Sequence, residues 1–207
     1  PGFVSRDYRI ERADLQTTGT TQVLSLVGGK WTTFRALAEH LSDEVLGVLQ
    51  ARRVVSTKGV AIGGGVGYPR TERALRRWLA TISAGVGRER AARLLARYGT
   101  RATEVIAAVR ADANDRPIRD APAYSTAELR HLAATEHVVH LDDLLRRRTS
   151  LVFTGHARPE VVHEIAEAIA DVLGWDADDI AREEAAVDAM LDRQGRYRGE
   201  ESLAARA

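Results

Sequence analysis

The 207-residue chain contains no cysteine. Disulfide staples and thiolate chemistry are therefore excluded, and the composition fits a reducing compartment such as the cytoplasm. Lysine is nearly as scarce. Of 30 cationic residues, only Lys30 and Lys58 are lysines and the rest are arginines. No apolar run approaches the length needed to cross a bilayer, and Pro1-Gly2-Phe3-Val4 has neither the basic start nor the extended apolar core of a secretory signal. Formal net charge is only +1, which is not the balance of a bulk nucleic-acid binder. Internal repeats and low-complexity tracts are absent. No nucleophile elbow accompanies an ordered Ser, His and Asp set, so hydrolysis is not indicated. His137 and His140, and likewise His156 and His163, lack the compact carboxylate set of a metal centre, so no metal is expected. The chain opens at proline inside a β-like stretch, Phe3 to Ile10. The expectation is a piece of a longer protein that carries part of an active site and is inactive by itself.

What is present is concentrated at Val27-Gly28-Gly29-Lys30-Trp31-Thr32-Thr33-Phe34-Arg35. Residues 23–27 are apolar and predict a buried strand. Two glycines follow, then a lysine and hydroxyl residues, then a helix. Small residues at such a turn let a ligand approach the backbone. A helix N-terminus offers free N–H groups and the positive end of its dipole, which favour an anion. A phosphate suits this arrangement, as does a flavin ring that becomes anionic on reduction. An ordinary helix start with threonines near the cap would look the same from these residues alone.

Residues 3–12 predict a strand, Ala13–Thr21 a turn containing Gly19, and 22–28 a second strand, together a pair at the edge of a larger sheet. Phe34, Leu37, Ala38, Leu41, Val45 and Leu49 recur at helical spacing and predict a helix from Trp31 to about Gln50. The glycine-rich break before Pro69 marks a boundary. The predicted division is 1–52 as the end of a larger α/β domain, 53–69 as a linker, 70–195 as a helical domain and 196–207 as a flexible tail. The fold class is mainly α. Helices are predicted at 71–83, 88–98, 101–112, 126–136, 142–148, 159–173 and 178–193, with Gly99 as a C-cap, Asp142 as an N-cap and Pro159 in a first turn. Residues 113–125, with Pro117 and Pro122, read as a linker. The predicted core comprises Leu75, Trp78, Leu79, Leu94, Leu95, Val105, Leu129, Leu132, Leu144, Leu145, Ile165 and Leu173. The Gly63–Gly67 cluster lacks the spacing of a dinucleotide fingerprint and reads as a turn. Arg146-Arg147-Arg148 could hold an anion, but Asp142 and Asp143 lie within helical reach and ion pairs are the simpler reading.

Two sets of residues together resemble the FAD-dependent glycerol-3-phosphate dehydrogenases. Ser5-Arg6-Asp7-Tyr8 and Gly28-Gly29-Lys30-Trp31-Thr32-Thr33-Phe34-Arg35-Ala36-Leu37-Ala38-Glu39 look like the end of that family's flavin domain. Ala127-Glu128-Leu129, Glu136-His137-Val138-Val139, Asp142 to Thr149 and Leu173-Gly174-Trp175 resemble its helical C-terminal domain. The resemblance implies oxidation of sn-glycerol 3-phosphate to dihydroxyacetone phosphate. It implies that Arg6 grips the phosphate, that Lys30 serves catalysis and binds substrate, and that Gly28, Gly29, Lys30, Trp31, Thr32 and Thr33 contact FAD. FAD is expected in the full-length enzyme and not on this piece, since the family's dinucleotide fingerprint is absent. A quinone is the expected electron acceptor for dehydrogenases and oxygen for the related oxidases. The location is expected to be cytoplasmic, with peripheral attachment to the inner face of the membrane and a homodimer left open. The alternative is that residues 70–195 are a docking module of a related polyol-phosphate dehydrogenase or glycerophosphate oxidase.

Overall fold

A computed structural model describes residues 7–16 and 20–193. The predicted strand start at Phe3, Gly19 and the tail 196–207 lie outside the described residues. The chain divides between Ala61 and Ile62 into two compact units.

The first unit is a hairpin and a helix. Strand β1 (Tyr8–Gln16) pairs antiparallel with β2 (Thr20–Gly28), with Tyr8 opposite Gly28 and Gln16 opposite Thr20. A 3₁₀ turn at Trp31–Thr33 then leads into α1 (Phe34–Val48). The helix therefore starts one turn later than its apolar spacing predicts. Among its described residues this unit fully buries only Leu37, at 5% exposure. The strand predicted as buried is in fact half exposed, with Leu26 at 37%. The helical stripe is open as well: Phe34, Val45 and Leu49 are all exposed. Two strands and one helix have too little inner surface to cover apolar residues on both faces.

Polar bonds supply what packing does not. Glu39 on α1 receives Ser56 Oγ at 2.5 Å, Thr57 N at 2.8 Å and Thr57 Oγ1 at 3.1 Å. It also pairs with Arg35 at 2.8 Å and Arg53 at 2.9 Å. The Ser56 hydrogen bond, followed by that of Arg35, lowers its carboxyl to a pKa of about 2. Residues 53–57 are thereby tied back to α1.

The second unit is helical, as the sequence predicts. Helices α2 (Glu72–Ile82), α3 (Arg88–Tyr98) and α4 (Ala102–Ala111) surround one apolar core of Leu79, Ile82, Ala91, Leu94, Val105 and Ile106. The Thr71 hydroxyl caps α2 by accepting from Ala74 N at 3.2 Å. Gly99 ends α3 at φ 60 and ψ −145, a positive-φ conformation open to glycine, though not the left-handed helical one of a standard glycine cap. A second core lies among α5 (Thr126–Thr135), α6 (Pro159–Leu173) and α7 (Ala177–Arg193), filled by Leu129, Leu141, Leu144, Leu145, Ile165 and Ile169. Tyr98 packs against both cores. Of the predicted core residues, Leu75, Trp78 and Leu173 are only half-buried; Leu75 lies near the start of α2 and Leu173 is the last residue of α6, where fewer neighbours cover a side chain.

Three local expectations are corrected. Residues 113–125 are not a linker: β3 (Pro117–Ile118) and β4 (Ala121–Ser125) form a small hairpin that buries Ile118, Ala121 and Tyr124. Asp120 turns it at φ 57, and Glu164 of α6 accepts from Arg119 N at 3.0 Å. Residues 143–148 form a π-helical stretch in which the adjacent Leu144 and Leu145 are both fully buried. Asp142 at its start makes no side-chain cap bond; Asp143 instead reaches back to accept from Val139 N at 3.1 Å and His140 N at 2.9 Å, ahead of the helix. The arginine run is paired as the sequence suggests: Arg147 bonds Asp142 at 3.2 Å and Asp143 at 2.5 Å, and Arg148 bonds Glu136 at 3.3 Å.

The two cores are joined by a buried ionic cluster. Glu128, 1% exposed in the first turn of α5, accepts from Arg97 and, at 2.6 Å, from the Tyr98 hydroxyl. The Arg97 guanidinium lies 3.8 Å over the Tyr124 ring. Burial, and next the Glu128 charge, raise the Tyr98 pKa, so its hydroxyl stays a donor. Seven residues earlier on α3, Arg90 bonds Asp115 at 2.7 Å. That carboxylate also accepts from Ala127 N at 3.0 Å.

Removing one member of a buried pair strands the other. Arg97→Ala should destabilise the helical unit by about 3–5 kcal/mol in urea denaturation, and a loss under about 1 kcal/mol would contradict the assigned role. A second expectation concerns pH. Hydrogen bonds donated to Glu183 and Glu184 raise the pKa of His140 and His163 respectively. Raised folded-state values stabilise fully below the unfolded value and lose that contribution as pH rises through the folded one. The melting temperature should fall on going from about pH 6 to about pH 9, and the double variant His140→Gln/His163→Gln should flatten that slope. An unchanged slope in the double variant would sink the assignment.

Candidate functional site

The sequence singles out the turn that joins β2 to α1, and the structure shows how it is held. Gly28 and Gly29 have φ of 85 and 100. A Cβ on Gly28 would come within 2.7 Å of the Asp7 carbonyl oxygen, and one on Gly29 within 2.7 Å of Leu37 Cδ1. Both glycines are thus required by the chain's own packing, through conformation and through space. Lys30 follows in extended conformation, at φ −117 and ψ 146. Its carbonyl accepts from both Thr33 N and Thr33 Oγ1, each at 3.0 Å. Lys30 is exposed, Trp31 is 92% exposed and Phe34 is 59% exposed.

The arrangement presents a cation and two aromatic side chains outward from a rigid turn. The donor set suits an anionic, planar partner such as a flavin: an ammonium, exposed rings, and the N–H groups of Trp31 and Thr32 in the first helical turn. Thr33 is different from the expectation, because its N–H and hydroxyl both close the turn. Trp31 likewise does not pack into the hairpin–helix unit; it projects from it. The turn is an open surface and not an enclosed pocket, so it fits a flavin as one wall of a site. Arg6, predicted to bind phosphate, lies outside the described residues.

Two features around the turn were not visible in the sequence. The Tyr8 hydroxyl bonds His40 Nδ1 at 2.9 Å, bridging β1 and α1. The Glu39 carboxylate gathers donors from Arg35 on its own helix and from residues 53–57. A period-based reading sees neither, since both contacts join residues far apart in sequence.

The helical unit contains a groove of about 660 Å³ lined by Asp112, Arg116, Arg130, His131, Glu164 and Glu167, among others. Its charges largely satisfy one another. Arg116 pairs with Glu164, and Arg130 holds Asp171 through two bonds, of 2.5 and 2.7 Å.

Comparison with known proteins matches residues 19–180 to the family described as the C-terminal domain of alpha-glycerophosphate oxidase. A glycerol-3-phosphate dehydrogenase of Mycobacterium leprae is 34% identical over 178 residues, which cover 83% of this chain and 30% of that protein. Glycerol-3-phosphate dehydrogenase 2 of Mycobacterium tuberculosis is 35% identical over 166 residues, 78% of this chain and 28% of that protein. The chain thus spans about 30% of the length of the curated relatives it matches. The crystal structure of a glycerol-3-phosphate dehydrogenase from Bacillus halodurans, complexed with FAD, superposes with a TM-score of 0.60 at 22% identity. That likeness covers 81% of this chain and 35% of the other, and is one of fold.

The glycine constraints give a direct test. Gly28→Ala and Gly29→Ala should each loosen the turn, seen as faster amide exchange from Gly28 through Thr33. Gly47→Ala, in α1 with nothing within 4 Å of the added methyl, should instead stabilise by up to about 1 kcal/mol. Equal behaviour of all three variants would refute the packing account of the turn.

Proposed function

The chain belongs to the family of the C-terminal domain of alpha-glycerophosphate oxidase, and from that premise we propose that it forms part of an FAD-dependent oxidoreductase acting on sn-glycerol 3-phosphate. The product is dihydroxyacetone phosphate. The observation that carries the reading is the exposed Gly28-Gly29-Lys30 turn, with both glycines at positive φ and the Lys30 carbonyl bonded twice by Thr33, in a chain of this family. In the proposed arrangement residues 1–52 end the flavin- and substrate-binding domain, 53–69 connect, and 70–195 form the helical C-terminal domain. A quinone, or oxygen in an oxidase, is the proposed final electron acceptor. The proposed location is cytoplasmic, with peripheral membrane attachment; no helix among the described residues is long and apolar enough to cross a membrane.

The reaction breaks the C2–H bond of the substrate and passes the C2 hydroxyl proton to a base or hydrogen-bond network, leaving a ketone. The flavin, when bound, supplies the two-electron acceptor for the hydride. The residues of this chain supply charge and position. Arg6 can hold two phosphate oxygens through its planar fork. Lys30 is the fixed cation against which negative charge develops, and its backbone is immobilised before substrate arrives, so no reorganisation is needed during the step. Trp31 and Thr32 offer backbone N–H groups to cofactor oxygens, and the two glycines keep side chains out of the approach.

Kinetics of a full-length protein carrying this chain test the proposal. Lys30→Ala should lower kcat by an amount equivalent to about 2–4 kcal/mol, the usual cost of losing one donor to developing charge. Arg6→Ala should act mainly by raising KM. With glycerol in place of the phosphorylated substrate, Arg6→Ala should cost far less, whereas Lys30→Ala should still impair the reaction. If both variants stay within about twofold of the parent, a shift under roughly 0.5 kcal/mol, these residues do not form the site.

A further inference from the structure

Lys30 is a long side chain on a turn, and its reach is only as accurate as the backbone beneath it. One side of that backbone is fixed by Thr33, which donates twice to the Lys30 carbonyl at 3.0 Å. The other side is fixed by Tyr8. Its Cα is the register partner of Gly28, and its Cβ lies 3.7 Å from where a side chain on Gly29 would begin. The Tyr8 ring meets the His40 ring edge-on, with centroids 5.7 Å apart, and its hydroxyl reaches His40 Nδ1 at 2.9 Å. His40 Nε2 stands 3.6 Å from Glu44 Oε1, and Arg12 of β1 pairs with the other Glu44 oxygen. The Glu44 charge favours the imidazole proton on Nε2, which leaves the Nδ1 lone pair to accept from Tyr8.

We infer that Tyr8 and His40 are a positioning pair that sets the placement of Lys30, with Glu44 orienting the imidazole. The inference rests on the proposed role of Lys30 in the flavin-dependent reaction. Neither residue is a catalytic group; both act through the turn. Strand β1 and helix α1 share few buried apolar contacts, since Leu37 is the one fully buried residue among those described in this unit. The Tyr8–His40 bond and the Arg12–Glu44 pair therefore tie β1 to α1 on either side of His40, and Lys30 sits at the vertex of hairpin and helix. A displacement on the order of 1 Å at a positioned group can cost about a hundredfold in rate.

Two measurements separate this inference from the reading it rests on. The first needs no activity: amide exchange of the 207-residue chain. Tyr8→Phe and His40→Leu should each speed exchange at Thr33 at least about fivefold, while amides from Leu41 to Val45 stay as in the parent. His40→Asn keeps an acceptor near the Nδ1 position and should restore much of the protection. Unchanged exchange at Thr33 in both Tyr8→Phe and His40→Leu overturns the inference, and so does equal loss of protection along the whole of α1. The second measurement is turnover per bound flavin in the full-length protein. Tyr8→Phe and His40→Leu should lower kcat about five- to twentyfold with KM for glycerol 3-phosphate within about twofold, and His40→Asn should fall between them and the parent. A parent that binds flavin but does not oxidise glycerol 3-phosphate defeats the proposed function, and the exchange result still decides the pairing. An active parent whose variants keep full kcat defeats the positioning role alone.

Discussion

The Glu128 carboxylate, 1% exposed, sits where two separate apolar cores of the helical unit meet. A buried charge without partners would be expelled by its own desolvation cost. Here Arg97 and the Tyr98 hydroxyl come from the end of α3, and Arg97 also donates to the Ala123 carbonyl at 3.3 Å while stacked on Tyr124. Glu128 lies in the first turn of α5, where the helix dipole adds to the stabilisation of negative charge. The small hairpin, the end of α3 and the start of α5 are therefore placed by one set of bonds. Slippage of one core against the other would break all of them together. The apolar cores supply most of the stability, and the ionic junction fixes how they are registered.

The hairpin–helix unit obeys a different constraint. It cannot bury enough apolar surface to be held by packing, so directional contacts hold it: the β1–β2 ladder, the five contacts of Glu39 and the Tyr8–His40 bridge. Such a frame defines angles well even where burial is poor. It leaves Trp31, Phe34, Val45 and Leu49 outward.

The helices of the second unit were legible because their apolar residues repeat with helical period and their ends carry recognisable stops, such as Gly99 and Pro159. The hairpin at 117–125 was not. Its strands are short, two prolines interrupt them, and the turn uses Asp120 where a glycine would have signalled it. The π-helical stretch was not legible because its adjacent leucines, like Leu94 and Leu95 of α3, fit an ordinary α-helix equally well. At the candidate site the Gly28-Gly29-Lys30 turn stood out from composition and order alone. Tyr8–His40 and Arg97–Glu128 did not, because their partners lie 32 and 31 residues apart and only the fold brings them together. Periodicity reports local geometry, whereas burial of a charge or a bridging hydroxyl is a property of the whole fold.

The central claim is that the lysine turn belongs to a site where glycerol 3-phosphate gives up a hydride to a flavin. The most direct measurement is an anaerobic titration of the full-length, flavin-loaded protein followed by absorbance. Glycerol 3-phosphate should bleach the oxidised flavin band stoichiometrically, and glycerol at the same concentration should leave it unchanged. A protein that retains no flavin, or a flavin band that persists in excess glycerol 3-phosphate, would contradict the account.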